Sequence, residues 1–547
     1  MSSENTEAFP ILSAADLALV EDHGVRRSID VGDYLFRQGE QTNDFYAVLS
    51  GAVEIVVHAD GGDRVITRHG PGRFVGELNL VTGLRVFVSA RVVEPGEVVV
   101  VSRQALQHLL ATETRLSDII LKAFMARRAL LLSSAAASLR LVGSRFSPET
   151  RRIREYLTRS RVPHEWLNPD EDPSIEALLQ TSGVDPGDLP VVCTGDTVLR
   201  RVSAGSLAEY LGLTVASLPS RTFDLVVAGG GPAGLAAAVY GASEGLGTLV
   251  LEMVAVGGQA SSSSRIENYF GFPTGISGDE LTQRALLQAE KFGAHLTSPC
   301  SAASLREEDG HLVVRLSDGS DVAARAIVAA TGARYRRLPV DRLEQFEGNG
   351  VYYAATPLEA GLCAGAPVVV VGGGNSAGQA AMFLAESGSS VALILRSSDL
   401  GKNMSRYLVD RIEAHAGVHV RLNTQVTRLD GERSLAGIQV TSPDGETVIR
   451  CAGLFSLIGA EPSSDWLSGC AALDEHGFVL TDLSLDDEHL DHSWQIAGRR
   501  PLPFETSRPG LFAVGDLRSG SMKRVAAAVG EGSAAVRSVH QYLAFDH

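Results

Sequence analysis

A multidomain α+β fold is predicted by three observations: the length of the chain, a run of short glycine-separated strands near its start, and a strand, glycine turn and helix unit that occurs twice further on. At 547 residues, and roughly 100 to 200 residues per domain, about three or four domains are expected. The pattern divides into a β-roll over residues 10–140, a small α/β unit over 141–215, and a glycine-rich nucleotide-binding region over 222–547.

The β-roll rests on strands at Asp33 to Phe36, Phe45 to Leu49, Ala52 to His58 and Val98 to Ser102, punctuated by Ser50-Gly51 and Asp60-Gly61-Gly62. Leu116 to Leu139, rich in Leu and Ala with Lys and Arg interspersed, predicts a helix leaving the roll and a candidate dimer contact. The α/β unit is expected to hold a strand from about Leu141, a helix over Pro148 to Ser160, a strand over Pro163 to Leu167 and a helix near Ser174 to Thr181. A strand over Leu189 to Cys193 and a helix near Ala204 to Tyr210 complete it, most strands sharing one sheet.

From Thr222 onward the pattern becomes Rossmann-like. Asp224 to Ala228 is a buried-strand pattern running into Gly229-Gly230-Gly231-Pro232-Ala233-Gly234 and a small-residue helix, Leu235 to Ala242. In that context Gly229 permits the tight turn, Gly231 lets the backbone approach a pyrophosphate, and Gly234 permits close helix packing. A further strand, Thr248 to Leu251, ends at Glu252, whose carboxylate can accept hydrogen bonds from ribose hydroxyls. The second unit runs from Val368 to Val371 into Gly372-Gly373-Gly374-Asn375-Ser376-Ala377-Gly378, with Ala at its last motif position. Counting the same offset onward places Leu395, Arg396 and then Lys402 where the first unit has its acid. Cations in place of a carboxylate suit a 2′-phosphate, so NADPH is favoured over NADH.

Hydrophobic residues make up 44% and charged residues 21% of the chain, an ordinary globular composition. The formal net charge of −17 repels polyphosphate backbones, and nucleic acid is excluded as an expected partner. The polar start, Met1 to Pro10, and the lack of a long apolar stretch predict a cytoplasmic protein without a membrane segment. Cys193, Cys300, Cys363, Cys451 and Cys470 lie far apart with neither CxxC nor metal-ligand spacing. Each is read as a buried structural thiol, and no metal is expected.

Over Phe223 to Leu543 the chain resembles the thioredoxin reductase family of low-molecular-weight flavoenzymes. The residues concerned are Gly257-Gly258-Gln259, Glu267-Asn268-Tyr269-Phe270-Gly271-Phe272-Pro273, Ala330-Thr331-Gly332, Gly453-Leu454-Phe455 with Ile458-Gly459, and Gly510 to Asp516. The resemblance implies FAD and NADPH as cofactors, with an FAD domain in two pieces, 222–338 and 459–547, around an NADPH domain over 339–458, and a homodimer. It also implies that Gly515 and Asp516 hold the ribityl chain, that Gln259 and Asn268 line the flavin, that Gly258, Thr331 and Gly332 belong to the same site, and that Lys523-Arg524-Val525 lies near the isoalloxazine.

One departure is chemical. The family's CxxC is missing, and Tyr353-Ala354-Ala355-Thr356-Pro357 is thiol-free. A dithiol relay needs one thiolate to attack and a second thiol to resolve, and Ala354 and Pro357 do neither. Related ferredoxin or flavodoxin NADP reductases lack the pair and pass electrons directly from flavin. The α/β unit resembles thioredoxin or glutaredoxin, with Arg145-Phe146-Ser147-Pro148 where CPxC would stand and Asp188-Leu189-Pro190-Val191 at the family's cis-proline segment. The first region resembles the cyclic-nucleotide-binding domain through Val31-Gly32-Asp33-Tyr34-Leu35-Phe36, Gly39-Glu40, Phe45 to Val48 and Ser50-Gly51. Its phosphate cassette holds Glu77, for ribose, and Arg85, for the cyclic phosphate, but Val86-Phe87-Val88 intervenes before Ser89. That bulk is expected to move or fill the phosphate pocket, so tight cyclic-nucleotide binding is not expected.

The resulting expectation is hydride transfer from NADPH to FAD and on to an unidentified acceptor: ferredoxin, flavodoxin, a quinone, oxygen or another redox protein. The cofactor carries the chemistry, and no side chain is singled out as catalytic. The alternative is a flavin-containing sensor or scaffold with little turnover.

Overall fold

The computed structural model describes residues 7–545 other than 41–43, 60–61, 77–79, 81–84, 134–138, 161, 173, 176–178, 180–182, 195–196, 213–221, 264, 309, 356 and 364. The β-roll is built from two antiparallel four-stranded sheets, Val25–Ile29, Gly96–Val101, Phe45–Val48 and Phe74–Val75 in one, and Tyr34–Phe36, Ser89–Glu94, Ala52–Ala59 and Gly62–His69 in the other. Val25–Ile29 was not legible as a strand because it presents Arg26, Arg27 and Ser28, and four of its five residues are exposed.

Two helices, Arg103–Thr112 and Thr114–Ser133, follow the roll. The helix expected over Leu116 to Leu139 is thus corrected at its end. Leu139 opens the strand Leu139–Val142, in which Leu139 and Leu141 are buried while Arg140 is half-buried, a period of two that overrides the preceding Leu and Ala run. That strand is central in the α/β unit's sheet, whose order is His164–Leu167, Leu139–Val142, Val191–Thr194 and Thr197–Leu199. The expected strand from Leu189 begins instead at Val191, after Pro190, which has no N–H to give a ladder; the Leu189–Pro190 peptide is cis. Most of the helix expected near Ser174 to Thr181 lies outside the described residues.

The first nucleotide-binding sheet runs His295–Thr297, Thr248–Leu251, Phe223–Ala228, Asp321–Ala329, His311–Leu316, Ala302–Glu308, with the distant Leu511–Ala513 also paired to Asp321–Ala329. The second runs Val351–Tyr352, Gly453–Ser456, Val368–Val371, Val391–Ile394, Val418–Arg421, all parallel. Parallel strands buried on both faces explain the unbroken Val and Leu runs that mark both units in the sequence. A two-stranded ribbon, Ala333–Tyr335 against Ala460–Pro462, makes the double crossing between the two domains.

The roll shares cores with the first nucleotide domain and with the α/β unit. Leu287, on the helix Gly278–Lys291 of the first nucleotide domain, packs among Leu106, Leu109 and Phe45 of the roll. Phe87 of the roll is buried among Leu141, Ile153 and Tyr156 of the α/β unit. In the segment expected to move or fill the phosphate pocket, Val86 and Val88 pack in the roll's own core, and Phe87 docks the next domain.

Candidate active site

Both glycine turns open onto one cleft of about 2930 Å³ between the two nucleotide domains and the α/β unit. In the first, Gly229 has φ +113° and a Cβ there would lie 2.2 Å from the Ala330 carbonyl oxygen, so only glycine fits. The helix Pro232–Ser243 starts directly after it, with Gly231 as its cap. A Cβ on Gly234 would lie 1.8 Å from the Gly229 carbonyl oxygen, which is the close helix approach that the motif implied. Gly231, by contrast, has only the Gly258 Cα near its Cβ position, at 3.8 Å. Its open side faces the cleft, as a backbone that must meet a pyrophosphate requires.

Glu252 ends the neighbouring strand, is 8% exposed, and accepts the N–H groups of Gly230 at 2.7 Å and Val254 at 3.0 Å. Burial pushes its carboxyl above the ordinary range, against those hydrogen bonds and the charge of Arg159. Across the cleft, Gln259 Nε2 donates to the Ala333 carbonyl, and Thr331 Oγ1 donates to Ser463 O at 2.7 Å. Gly515 N–H donates to Glu531 at 2.8 Å. Burial raises the Asp516 carboxyl, countered by Lys523.

The second turn has the same build. A Cβ on Gly372, at φ +150°, would lie 2.3 Å from Leu457 O, whereas Gly374 is open. The helix Asn375–Glu386 begins there, and Asn375 Oδ1 accepts the Ser405 N–H at 2.7 Å. Arg396 and Lys402 are exposed on the cleft and form no ion pair among the described residues.

All the residues singled out in the sequence for FAD and NADPH line this cleft except three, and Arg524, Val525, Ala233, Gly332 and Ser376 are among those it gathers. Gly234 and Ala377 are buried beneath their turns. Asn268 is exposed and away from the cleft. The cause is local: Ile266 pairs with Ile276, so the segment between them loops outward, Tyr269 stacks on Phe272, and Phe270 is 96% exposed. The residues that motif reading missed come from the α/β unit, whose helix Pro148–Arg159 and the turn before it bring Arg145, Phe146, Arg151 and Arg159 to the same cleft. Arg151 donates to Asn349 Oδ1 at 3.2 Å, and Arg433 lies 3.9 Å from the Phe146 ring centre. No spacing signals this, because the cleft is completed between domains.

Residues 223–532 match the model of the pyridine nucleotide-disulphide oxidoreductases, over half the chain. The chain belongs to that family. Within it, the thioredoxin reductase of Mycolicibacterium smegmatis is 32% identical over 335 residues, covering 60% of this chain and 99% of the relative. A 34.2 kDa protein in the rubredoxin operon of Clostridium pasteurianum is 29% identical over 325 residues, covering 59% and 98%. The crystal structure of T. acidophilum thioredoxin reductase superposes with a TM-score of 0.52 at 27% identity, covering 59% of this chain and 99% of that one. Residues 26–113 match the cyclic nucleotide-binding domain. The protein is thus an NAD(P)H-dependent flavoprotein oxidoreductase of thioredoxin reductase type, with FAD and NADPH as its cofactors. Among the described residues no helix is long and apolar enough to cross a membrane.

Three of the thiols are poor nucleophiles. Cys300 lines the cleft, but burial pushes its thiol up to about 11, and Cys363 and Cys451 are raised to about 11 and about 12 by the same cause. Ala354 and Pro357 line the cleft where the family resemblance would put the thiol pair, while Thr356 lies outside the described residues.

The β-roll's Arg85 is engaged within the chain. Its Nε donates to the Tyr210 carbonyl and its Nη1 to Gly39 O at 2.7 Å, with the guanidinium carbon 4.9 Å from the Tyr210 ring centre. The cavity left around it is about 10 Å³. Glu77 lies outside the described residues.

Proposed function

We propose that this protein takes hydride from NADPH onto FAD and passes the electrons to an acceptor without a thiol pair. The observation that carries the reading is the opening of two glycine turns, Gly229–Gly234 and Gly372–Ala377, onto one cleft. FAD, when bound, supplies the two-electron chemistry. The chain's own residues bind and orient. The turn at Gly231 and the first N–H groups of Pro232–Ser243 favour a diphosphate, and Glu252 accepts hydrogen bonds from ribose hydroxyls. Gln259, Thr331, Gly332, Asp516 and Lys523 to Val525 line the remainder of the FAD site. Gly374, Asn375 and Ser376 serve the nicotinamide nucleotide, with Arg396 and Lys402 on its 2′-phosphate.

The acceptor class is ferredoxin, flavodoxin, a quinone, oxygen or another redox protein. Disulfide reduction by a dithiol relay is not proposed, because Ala354 and Pro357 offer no sulfur and the buried thiols are held protonated. The β-roll acts as a regulatory or interfacial module, and a homodimer is the expected assembly.

Anaerobic stopped-flow mixing with NADPH tests the reading: rapid loss of the oxidised flavin band is expected, faster than with NADH. A flavin that stays oxidised would instead support a sensor or scaffold in which FAD is structural.

A further inference from the structure

Arg159 belongs to the α/β unit, yet its guanidinium lies against the first glycine turn's neighbouring loop. Its Nη2 donates to Ala255 O at 3.0 Å and to Gly258 O at 3.2 Å. That loop is joined to the turn itself, since Gly257 N–H donates to Gly230 O at 2.8 Å. Nη1 donates to Glu155 at 3.1 Å, while Nε is buried without a partner among the described residues. The side chain is 24% exposed, and its charge draws the Glu252 carboxyl down. The helix carrying it is held in place: the Tyr156 hydroxyl donates to Ser298 O at 3.2 Å and Gln283 Nε2 donates to Arg159 O at 3.2 Å.

We propose that Arg159 is a positioning residue for the diphosphate of FAD, so that the α/β unit completes the cofactor site from outside the FAD domain. The inference rests on the reading that the first turn holds FAD. A glycine turn and a helix N-terminus supply neutral N–H dipoles, and Glu252 adds a carboxyl beside them. Two phosphate charges entering this partly dry place require a cation, and a guanidinium fixed by two carbonyls is a pre-arranged one.

Titration of the FAD-stripped full chain with FAD, followed by flavin fluorescence, tests this. Arg159→Ala should weaken FAD by about tenfold or more, the loss expected for a charge-assisted hydrogen bond. Arg159→Lys should recover part of it, and Arg152→Ala, which removes an exposed charge on the same helix, should match the unmodified chain. Competition separates positioning of phosphate from general support: ADP should lose its advantage over adenosine as a competitor in Arg159→Ala. An Arg159→Ala affinity within about twofold of the unmodified chain, or equal losses for ADP and adenosine, overturns the inference while leaving the flavoprotein reading intact. An unmodified chain that takes up no FAD overturns both.

Discussion

At the scale of single residues, the proposed preference for NADPH rests first on an exposed cation at a strand end. Val391–Ile394 ends just before Leu395, which is 2% exposed, and Arg396 follows on the cleft without an ion pair among the described residues. A free guanidinium there can meet a 2′-phosphate with charge-assisted hydrogen bonds worth about 1.5 to 3 kcal/mol. Arg396→Ala should therefore lower the preference for NADPH over NADH in flavin reduction by roughly tenfold or more, mostly through NADPH, because NADH has no phosphate to lose. Equal rates with both nucleotides in the unmodified chain would defeat the assignment. Arg396 was legible in the sequence because its place is set by a local offset from the glycine turn. Asn268 was not: its position depends on the Ile266–Ile276 pairing, a contact that no residue of the segment announces.

At the scale of elements, the helix Gly278–Lys291 joins the FAD domain to the β-roll through Leu287 and an acid. Glu290 is 5% exposed, its Oε2 has no partner among the described residues, and burial pushes its carboxyl from 4.5 up to about 8 against the charges of Arg103 and Arg128. A raised carboxyl stabilises the fold in its protonated state. That contribution is complete below about pH 4.5, where the unfolded chain is protonated too, and is lost as the pH rises to about 8. The slope is at most about 1.4 kcal/mol per pH unit. Glu290→Gln, which keeps the shape and cannot ionise, should match the unmodified chain near pH 5 and unfold at a higher temperature at pH 8.5. Parallel unfolding temperatures across that range would remove Glu290 as the cause. Elements were legible where pattern and burial coincide, as in Thr248–Leu251 and Val368–Val371, whose bounds the buried runs predict. They were obscured where an interface changes the rule: the exposed face of Val25–Ile29 lacks any apolar alternation, and Leu139 leaves a helical pattern to pair inside another domain's sheet.

At the scale of the whole molecule, the β-roll is tied to the α/β unit by the groups that a cyclic phosphate would need. Arg85 is held by the carbonyls of Tyr210 and Gly39, its own N–H donates to Leu211 O at 3.3 Å, and Phe87 is 6% exposed within the neighbouring core. The cavity of about 10 Å³ that Arg85 lines with Val86, Phe87, Tyr210 and Leu211 has room for about one water molecule. A cyclic nucleotide must therefore take Arg85 from two carbonyl acceptors and open the contact with Tyr210 before its phosphate is paired. Giving up two hydrogen bonds from a charged donor costs about 3 kcal/mol or more, a hundredfold or more in affinity. The bulk of Val86-Phe87-Val88 acts beside this engagement of Arg85, since Val86 and Phe87 line the same small cavity. Calorimetric titration of the full chain with cAMP and with cGMP should show no submicromolar site, and Arg85→Ala should loosen the α/β unit, seen as faster amide exchange at Tyr210 and Leu211. A submicromolar dissociation constant for either nucleotide, abolished by Arg85→Ala, would show instead that the phosphate displaces Tyr210 and that the roll is a working nucleotide sensor.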